Sequence, residues 1–206
     1  MYAIVEDNQI IKIIHNPKAM IINDVQYPAK IFQLWSKDEL NAIGIYEVIT
    51  DSTNKKDKTY YTNTNEQFDY ADGQVTRSWG TATPKKLEDE NAVDENGENI
   101  LDEDGNQVII KGLKTIFKEE VKAQAKGLLS PSDWYVIRKA EDAESTIPSN
   151  IATYRAAIRT RSNEMETQID GAADAAAMQT LYTYTNTGTE ENPVIARPLG
   201  EWPKLS

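Results

Sequence analysis

Gly112-Leu113-Lys114-Thr115-Ile116-Phe117-Lys118-Glu119-Glu120-Val121-Lys122-Ala123-Gln124-Ala125-Lys126-Gly127 is the stretch on which the fold turns, because the period of the chain changes here. Leu113, Phe117, Val121 and Ala125 recur every four residues, and Lys114, Lys118, Lys122 and Lys126 fill the adjoining stripe. Residues four apart share one face of an α-helix, so the pattern predicts a helix with an apolar core face and a cationic flank. Gly127 is expected to close it. Ser130-Pro131-Ser132-Asp133 is expected to open the next helix, with Ser130 as cap, Pro131 at the first helical position and Asp133 completing the box. A third helix should start near Ser149, with Ile151, Tyr154, Ile158, Met165 and Ile169 inward, and Ala172–Tyr182 suits a short fourth one. Beyond it Pro193, Pro198 and Pro203 stand five apart and predict an extended tail over 184–206.

Upstream the period is two. Tyr2–Val5 and Gln9–His15 are Ile-rich strand candidates joined by Glu6-Asp7-Asn8, a plausible hairpin turn. Ser36-Lys37-Asp38-Glu39 is a capping box that opens a short helix with Leu40 and Ile43 inward, and Gly44 supplies its left-handed end. Ile45–Thr50 and Thr59–Thr62 read as strands. Phe68–Val75 reads as a hairpin turning on Asp72-Gly73, with Val75, Arg77 and Trp79 alternating against polar neighbours.

Between these zones lies an acidic stretch. Nine carboxylates occur between Glu88 and Val108 with no Lys or Arg, and Asp94-Glu95-Asn96-Gly97 is echoed by Asp102-Glu103-Asp104-Gly105. The duplicated Asp-Glu-x-Gly unit suggests successive turns or a small exposed hairpin within a linker. Unpaired carboxylates must stay hydrated, so deletion of Glu88–Gln107 is expected to leave the melting temperature nearly unchanged.

The 206 residues, 39% apolar and 27% charged, suit one large or two small domains. The formal net charge of −11 repels phosphate backbones and argues against free nucleic acid as a partner. No cysteine is present, which excludes disulfides, thiolate nucleophiles and thiolate metal sites. No apolar run has the length of a membrane span, and the N-terminus lacks the pattern of a secretory signal, so a soluble protein is expected. The one histidine, His15, ends a strand and reads as a surface residue rather than a general base. The acidic stretch departs from a calcium loop, because Ile100 falls at the first ligand position. Phosphate-loop motifs are absent, and 33 acids always supply some carboxylate pair, so a glycan hydrolase draws no specific support. The lysine stripe reads as a solvated flank, with docking to an acidic partner or to the chain's own acidic segment as the alternative. No catalytic residue, metal or cofactor is expected.

Leu128-Leu129-Ser130-Pro131-Ser132-Asp133-Trp134, followed after the Trp by Tyr154-Arg155-Ala156-Ala157-Ile158-Arg159, resembles the C-terminal signature of bacteriophage tail-fibre assembly proteins, a family of assembly chaperones. Tyr27-Pro28-Ala29-Lys30-Ile31-Phe32, Leu34-Trp35-Ser36 and Ala42–Tyr46 are similar to N-terminal segments of tail-associated proteins of marine phages. The two motifs cover about a third of the chain. The resemblance implies a non-enzymatic tail-fibre accessory protein that binds the fibre or a neighbouring tail protein during assembly in the host cytoplasm. A permanent virion adaptor or decoration protein is the alternative. In residue terms, Asp133 is expected to cap a helix, with Trp134 packing as a buried anchor against the Tyr154/Arg155/Ile158/Arg159 helix.

The combined expectation is an α+β protein: a β-rich domain (1–83), an acidic linker (84–111), a helical hairpin or bundle (112–183) and an extended tail (184–206). The candidate partner-binding residues are Trp134, Tyr154, Arg155, Arg159, Tyr182, Tyr184, Leu199 and Trp202.

Overall fold

A computed structural model describes residues 1–205. The protein is α+β, and it divides into two compact units, Met1–Thr83 and Pro84–Ser206.

In the first unit β1 (Tyr2–Glu6), β2 (Gln9–Ile14), the hairpin β3 (Met20–Ile22) and β4 (Val25–Tyr27), α1 (Ile31–Leu34), α2 (Lys37–Ala42), β5 (Ile45–Thr50), β6 (Tyr61–Thr62), β7 (Glu66–Ala71) and β8 (Gln74–Trp79) follow in order, and β9 (Thr83–Pro84) lies at the boundary. Five strands form one sheet in the order β2-β1-β5-β8-β7, antiparallel except for β5 with β8. The outer strands β2 and β7 approach each other, so the sheet curls into a half-barrel. Strand alternation then sorts the core. Ile4, Ile14 and Ile45 pack with Ile31, Phe32 and Leu40 of the helices, while Ala3, Val5, Val48 and Val75 form a second cluster with Phe68, Tyr46 and Tyr70 against it. Three hairpins turn through residues with positive φ, Asp7-Asn8, Asn23-Asp24 and Asp72-Gly73, the backbone that two-residue turns demand. The Ser36/Glu39 capping box is present in both directions, at 3.3 Å and 2.7 Å.

The second unit contains β10 (Glu90–Asn91), β11 (Ile109–Ile110), α3 (Leu113–Leu129), a 3-10 turn at Ser130–Ser132, α4 (Asp133–Glu141), α5 (Ser149–Asp170), α6 (Ala175–Tyr182) and the hairpin β12 (Thr185–Asn186) with β13 (Ile195–Ala196). α3 and α5 are the main pair. Leu113, Phe117, Val121 and Ala125 are buried on α3, and Ile158, Met165 and Ile169 on α5, with Ala172, Ala175 and Met178 extending the core. The lysine stripe is an ion-pair ladder. Lys114 binds Glu88 at 2.6 Å, Lys118 binds Asp170 at 2.7 Å and Lys122 binds Glu166 at 3.3 Å. Gly127 lies inside α3, which runs on to Leu129. An exposed glycine is tolerated in a helix whose opposite face is packed.

The acidic stretch is part of this folded unit rather than a linker. Glu90 pairs with Ile110 and Asn91 with Ile109, closing the excursion at its base. The start of α3 is then capped by the incoming chain. Leu113 N–H donates to Lys86 O, Lys114 N–H to Leu87 O, and Gly112 N–H to the Asp89 carboxylate at 2.8 Å. Inside the excursion the repeat has a spacing of eight residues, and the backbone obeys it. Ala92 N–H donates to Val108 O, Val108 N–H to Ile100 O and Ile100 N–H to Ala92 O, a closed ring of three hydrogen bonds at 2.8–2.9 Å. Two loops leave that ring. Asp94 accepts from the N–H groups of Asn96 and Glu98, and Asp102 accepts from those of Asp104 and Asn106. Gly97 and Gly105 take φ of +84° and +82°. These backbone donors hold the carboxyls of Asp94 and Asp102 below the usual carboxylate range.

The tail is likewise not free. Beyond the β12–β13 hairpin, Leu199 N–H donates to Leu181 O, the Arg161 guanidinium binds Leu199 O, and Trp202 Nε1 donates to Gln124 Oε1 at 2.8 Å. Its prolines interrupt secondary structure without preventing side-chain burial.

Two outcomes follow from the excursion. A Cβ at Gly112 would overlap Leu87 O and the backbone of Glu88. Gly112→Ala should therefore cost about 2–3 kcal/mol by overpacking, whereas Gly97→Ala, in open space, should cost about 1–2 kcal/mol of left-handed strain; denaturant unfolding measures both. Because the Asp94 and Asp102 pKa values are depressed in the folded state, their contribution is present above the unfolded pKa and is lost as pH falls through the folded one. The amide signals of Asn96, Glu98, Asp104 and Asn106 should shift together in that acid window; titration of the two carboxyls at the ordinary value would contradict the turns.

Candidate interaction site

The candidate site grows from the end of α3. Leu129 O lies where the helical hydrogen-bond ladder gives way to the 3-10 turn, and such carbonyls need donors from elsewhere. Arg155 of α5 supplies them. Its Nη1 donates to Leu129 O at 2.8 Å and to Ser132 Oγ at 2.6 Å, and its Nη2 donates to Asp133 Oδ1 at 2.8 Å. Ser132 Oγ also donates to Leu129 O at 2.8 Å. Arg155 is only 6% exposed, so these bonds satisfy a buried cation. The planar guanidinium serves three acceptors at once, which a lysine ammonium on a flexible stem does less well.

The clamp joins the two motifs noted in the sequence through side-chain contacts. Asp133 binds Arg155, and Ser130-Pro131-Ser132 continues α3 as a 3-10 turn; neither Ser130 nor Ser132 makes a side-chain cap bond. Trp134 is not buried against α5. It is 50% exposed and stacks on Tyr135, with ring centroids 3.7 Å apart. Nor does any other residue of α4 enter the core: Val136 and Ile137 are exposed as well. Once Asp133 is held by Arg155, the direction of α4 carries Trp134 away from the α3–α5 core.

The other expected contact residues separate by burial. Leu199, 1% exposed, and Arg155 are structural, so neither side chain is available to a partner, contrary to expectation. Tyr182 is half-buried with its ring 4.5 Å from that of Phe117, and Trp202 is half-buried on α3. Tyr184 is exposed and its hydroxyl donates to Glu201 at 2.6 Å, a bond to a carboxylate that raises the phenol pKa. Tyr154 is half-buried on α5. Arg159 is exposed and reaches the groove described next.

Beside the clamp lies an open cavity of about 510 Å³ between α3 and α5. Lys122, Lys126, Arg155, Arg159 and Asn163 line it together with Ala125 and Leu129. Lys122 reaches Glu166, but the ladder runs out at Lys126: among the described residues, neither Lys126 nor Arg159 has a carboxylate within ion-pair distance. The sequence reading placed Lys126 in the lysine stripe, with docking to an acidic partner as the alternative, and missed Asn163 and Ile137 as site residues. A usable signal was the unbroken apolar run Trp134-Tyr135-Val136-Ile137, which cannot all face one core from a single helix.

His15 is exposed at the end of the first hairpin. Among the described residues no three His, Asp or Glu side chains gather as metal ligands would, and no helix is long and apolar enough to cross a membrane. No protein-family profile, no curated protein and no solved structure matches this chain.

The geometry separates the two motif residues experimentally. Arg155→Lys should destabilise the second unit by about 2–3 kcal/mol, the cost of leaving buried acceptors unpaired. Trp134→Ala should change stability by about 0.5 kcal/mol or less, as for an ordinary surface substitution. Amide hydrogen exchange within α3 and α5 reads both; a large loss on removing Trp134 would return it to the core.

Proposed function

We propose that the chain is a non-enzymatic bacteriophage tail-fibre accessory protein that binds the fibre, or a tail protein beside it, through the face formed by α4. The observation that carries this reading is α4 itself, a nine-residue helix with no buried residue that holds Trp134, Val136 and Ile137 in solvent. A helix whose only packing is through its first turn gains little stability from its own apolar side chains. Such side chains find their use against a second surface, and Trp is over-represented among the residues that dominate binding energy. The clamp at Arg155 pre-orders the face, which lowers the ordering cost of association. The physical need on the other side is equally plain. Long β-structured fibres expose sheet edges and apolar surface before their chains assemble, and a bound accessory protein covers them. The resemblance of Leu128–Trp134 and Tyr154–Arg159 to tail-fibre assembly proteins supports a tail fibre or a neighbouring tail protein as the class of partner. In the tail from 184 onward Leu199 is buried and Trp202 is bonded to α3, while Tyr184, Val194 and Ile195 stay exposed; α4 is taken as the contact because its apolar side chains adjoin the Arg155 clamp.

The test is co-purification from phage-infected cells, with the captured protein identified by mass spectrometry. Trp134→Ala/Ile137→Ala should weaken capture of the fibre or adjacent tail protein by about tenfold or more, as removal of hot-spot side chains does, while hydrogen exchange in α3 and α5 is unchanged. Undiminished capture by a folded double variant would move the contact away from α4. Fixed stoichiometry in purified particles would assign the permanent virion role in place of a transient one.

A further inference from the structure

We infer that the groove between α3 and α5 is a carboxylate-binding site that takes an acidic, partly apolar segment of the partner polypeptide. The inference rests on the interaction reading above and specifies the chemistry of the partner at that face.

Charge is the first ground. The chain carries a net charge of −11, with 33 acidic against 22 basic side chains, so two adjacent cations left without a carboxylate run against its overall balance. Three of the four lysines on α3 have found one, on Glu88, Asp170 and Glu166. Lys126 and Arg159 have not, and both line the same cavity. Counting Lys122 with its Glu166 and Arg155 with its Asp133 as neutral pairs, the groove holds a local excess of two positive charges in an acidic protein. Lys126 and Arg159 have no carboxylate partner, and the one bond Arg159 makes is a long one, 3.5 Å, to the Arg155 backbone carbonyl.

The shape and the walls narrow the ligand. A volume of about 510 Å³ lies within the range of sites for small molecules or a few side chains. Ala125 and Leu129 give it an apolar wall, and Asn163 adds a neutral polar group. A single inorganic anion would leave the apolar wall uncovered. A nucleic acid strand would bring a run of phosphates against a strongly acidic protein, with only two uncommitted cations to offset the repulsion. An Asp or Glu side chain flanked by aliphatic residues satisfies both the cations and the wall. The groove also shares Asp133 with the start of α4, so a segment lying in it reaches the first residue of that helix.

The probe is the capped tetrapeptide acetyl-Leu-Asp-Glu-Leu-amide, titrated into the full chain while the side-chain Nε–H signals of the arginines are followed by NMR. The expected result is a saturating shift of the Arg155 and Arg159 signals with a dissociation constant on the order of 1 mM or tighter. The isosteric neutral peptide acetyl-Leu-Asn-Gln-Leu-amide should bind at least tenfold more weakly. Lys126→Glu/Arg159→Glu, which changes two exposed side chains, should abolish the shift at Arg155 while leaving the backbone amide spectrum of α3 and α5 in place. Equal affinity for the neutral peptide, no shift at either arginine, or stronger binding of inorganic phosphate or an oligothymidylate at the same arginines would overturn the assignment. Capture of the tail protein separates this inference from the reading it rests on. If the charge-reversed variant still captures it undiminished, the groove is not part of the contact and the inference fails, while the α4 reading stands. If Trp134→Ala/Ile137→Ala also leaves capture intact, that reading fails too.

Discussion

The second unit depends on one buried guanidinium. Arg155 carries its charge into the packed side of α5, where it is 6% exposed, and spends its donors on Leu129 O, Ser132 Oγ and Asp133 Oδ1. All three acceptors lie within five residues, where α3 ends and α4 begins. Taking a cation out of water is costly unless it is paired and hydrogen-bonded, so the turn must adopt the conformation that presents those acceptors. The direction of α4, the exposure of Trp134 and the rim of the cationic groove follow from that constraint.

The same economy of charge runs through the rest of the unit. An acidic chain tends to expand through self-repulsion unless its carboxylates are engaged. Asp94 and Asp102 are occupied by backbone N–H groups within their own loops, and Asp89 by the first N–H of the α3 cap. Glu88, Glu166 and Asp170 meet the α3 lysines. Each exposed ion pair contributes little by itself, about 0–1 kcal/mol, but together they fix which cations stay uncommitted. Lys126 and Arg159 stand out among the unpaired cations because they line the same groove.

Much of the architecture was legible in the sequence because it rests on local rules. The Ser36/Glu39 box, the Asp72-Gly73 turn, the four-residue spacing on α3 and the start of α5 at Ser149 depend on neighbours a few residues apart, and the structure contains them. The β3–β4 hairpin was overlooked: Asn23-Asp24 turns through positive φ without a glycine to signal it. Three further features were misread for a common reason. Charge made 84–111 look like a linker, although its eight-residue repeat closes a ring of backbone hydrogen bonds between residues 92, 100 and 108. The tail is extended around its short hairpin, as its prolines indicated, but Leu199, offered as a partner contact, is buried. Size made Trp134 look like the anchor, when the anchor is the charged Arg155. Each of these outcomes is decided by a partner distant in sequence, which periodicity and composition do not encode. The groove was illegible for the same reason, since Lys126 and Arg159 belong to different helices and acquire meaning only when the ion pairs around them have been counted.

The central claim is that the Arg155–Asp133 contact, rather than the packing of Trp134, joins α5 to the start of α4. A double-mutant cycle on the second unit, with Arg155→Lys and Asp133→Asn singly and together, measures it most directly through the hydrogen-exchange stability of α3 and α5. The account predicts a coupling free energy of roughly 1–2 kcal/mol, as for charge-assisted pairs in contact. Strictly additive single effects would contradict it.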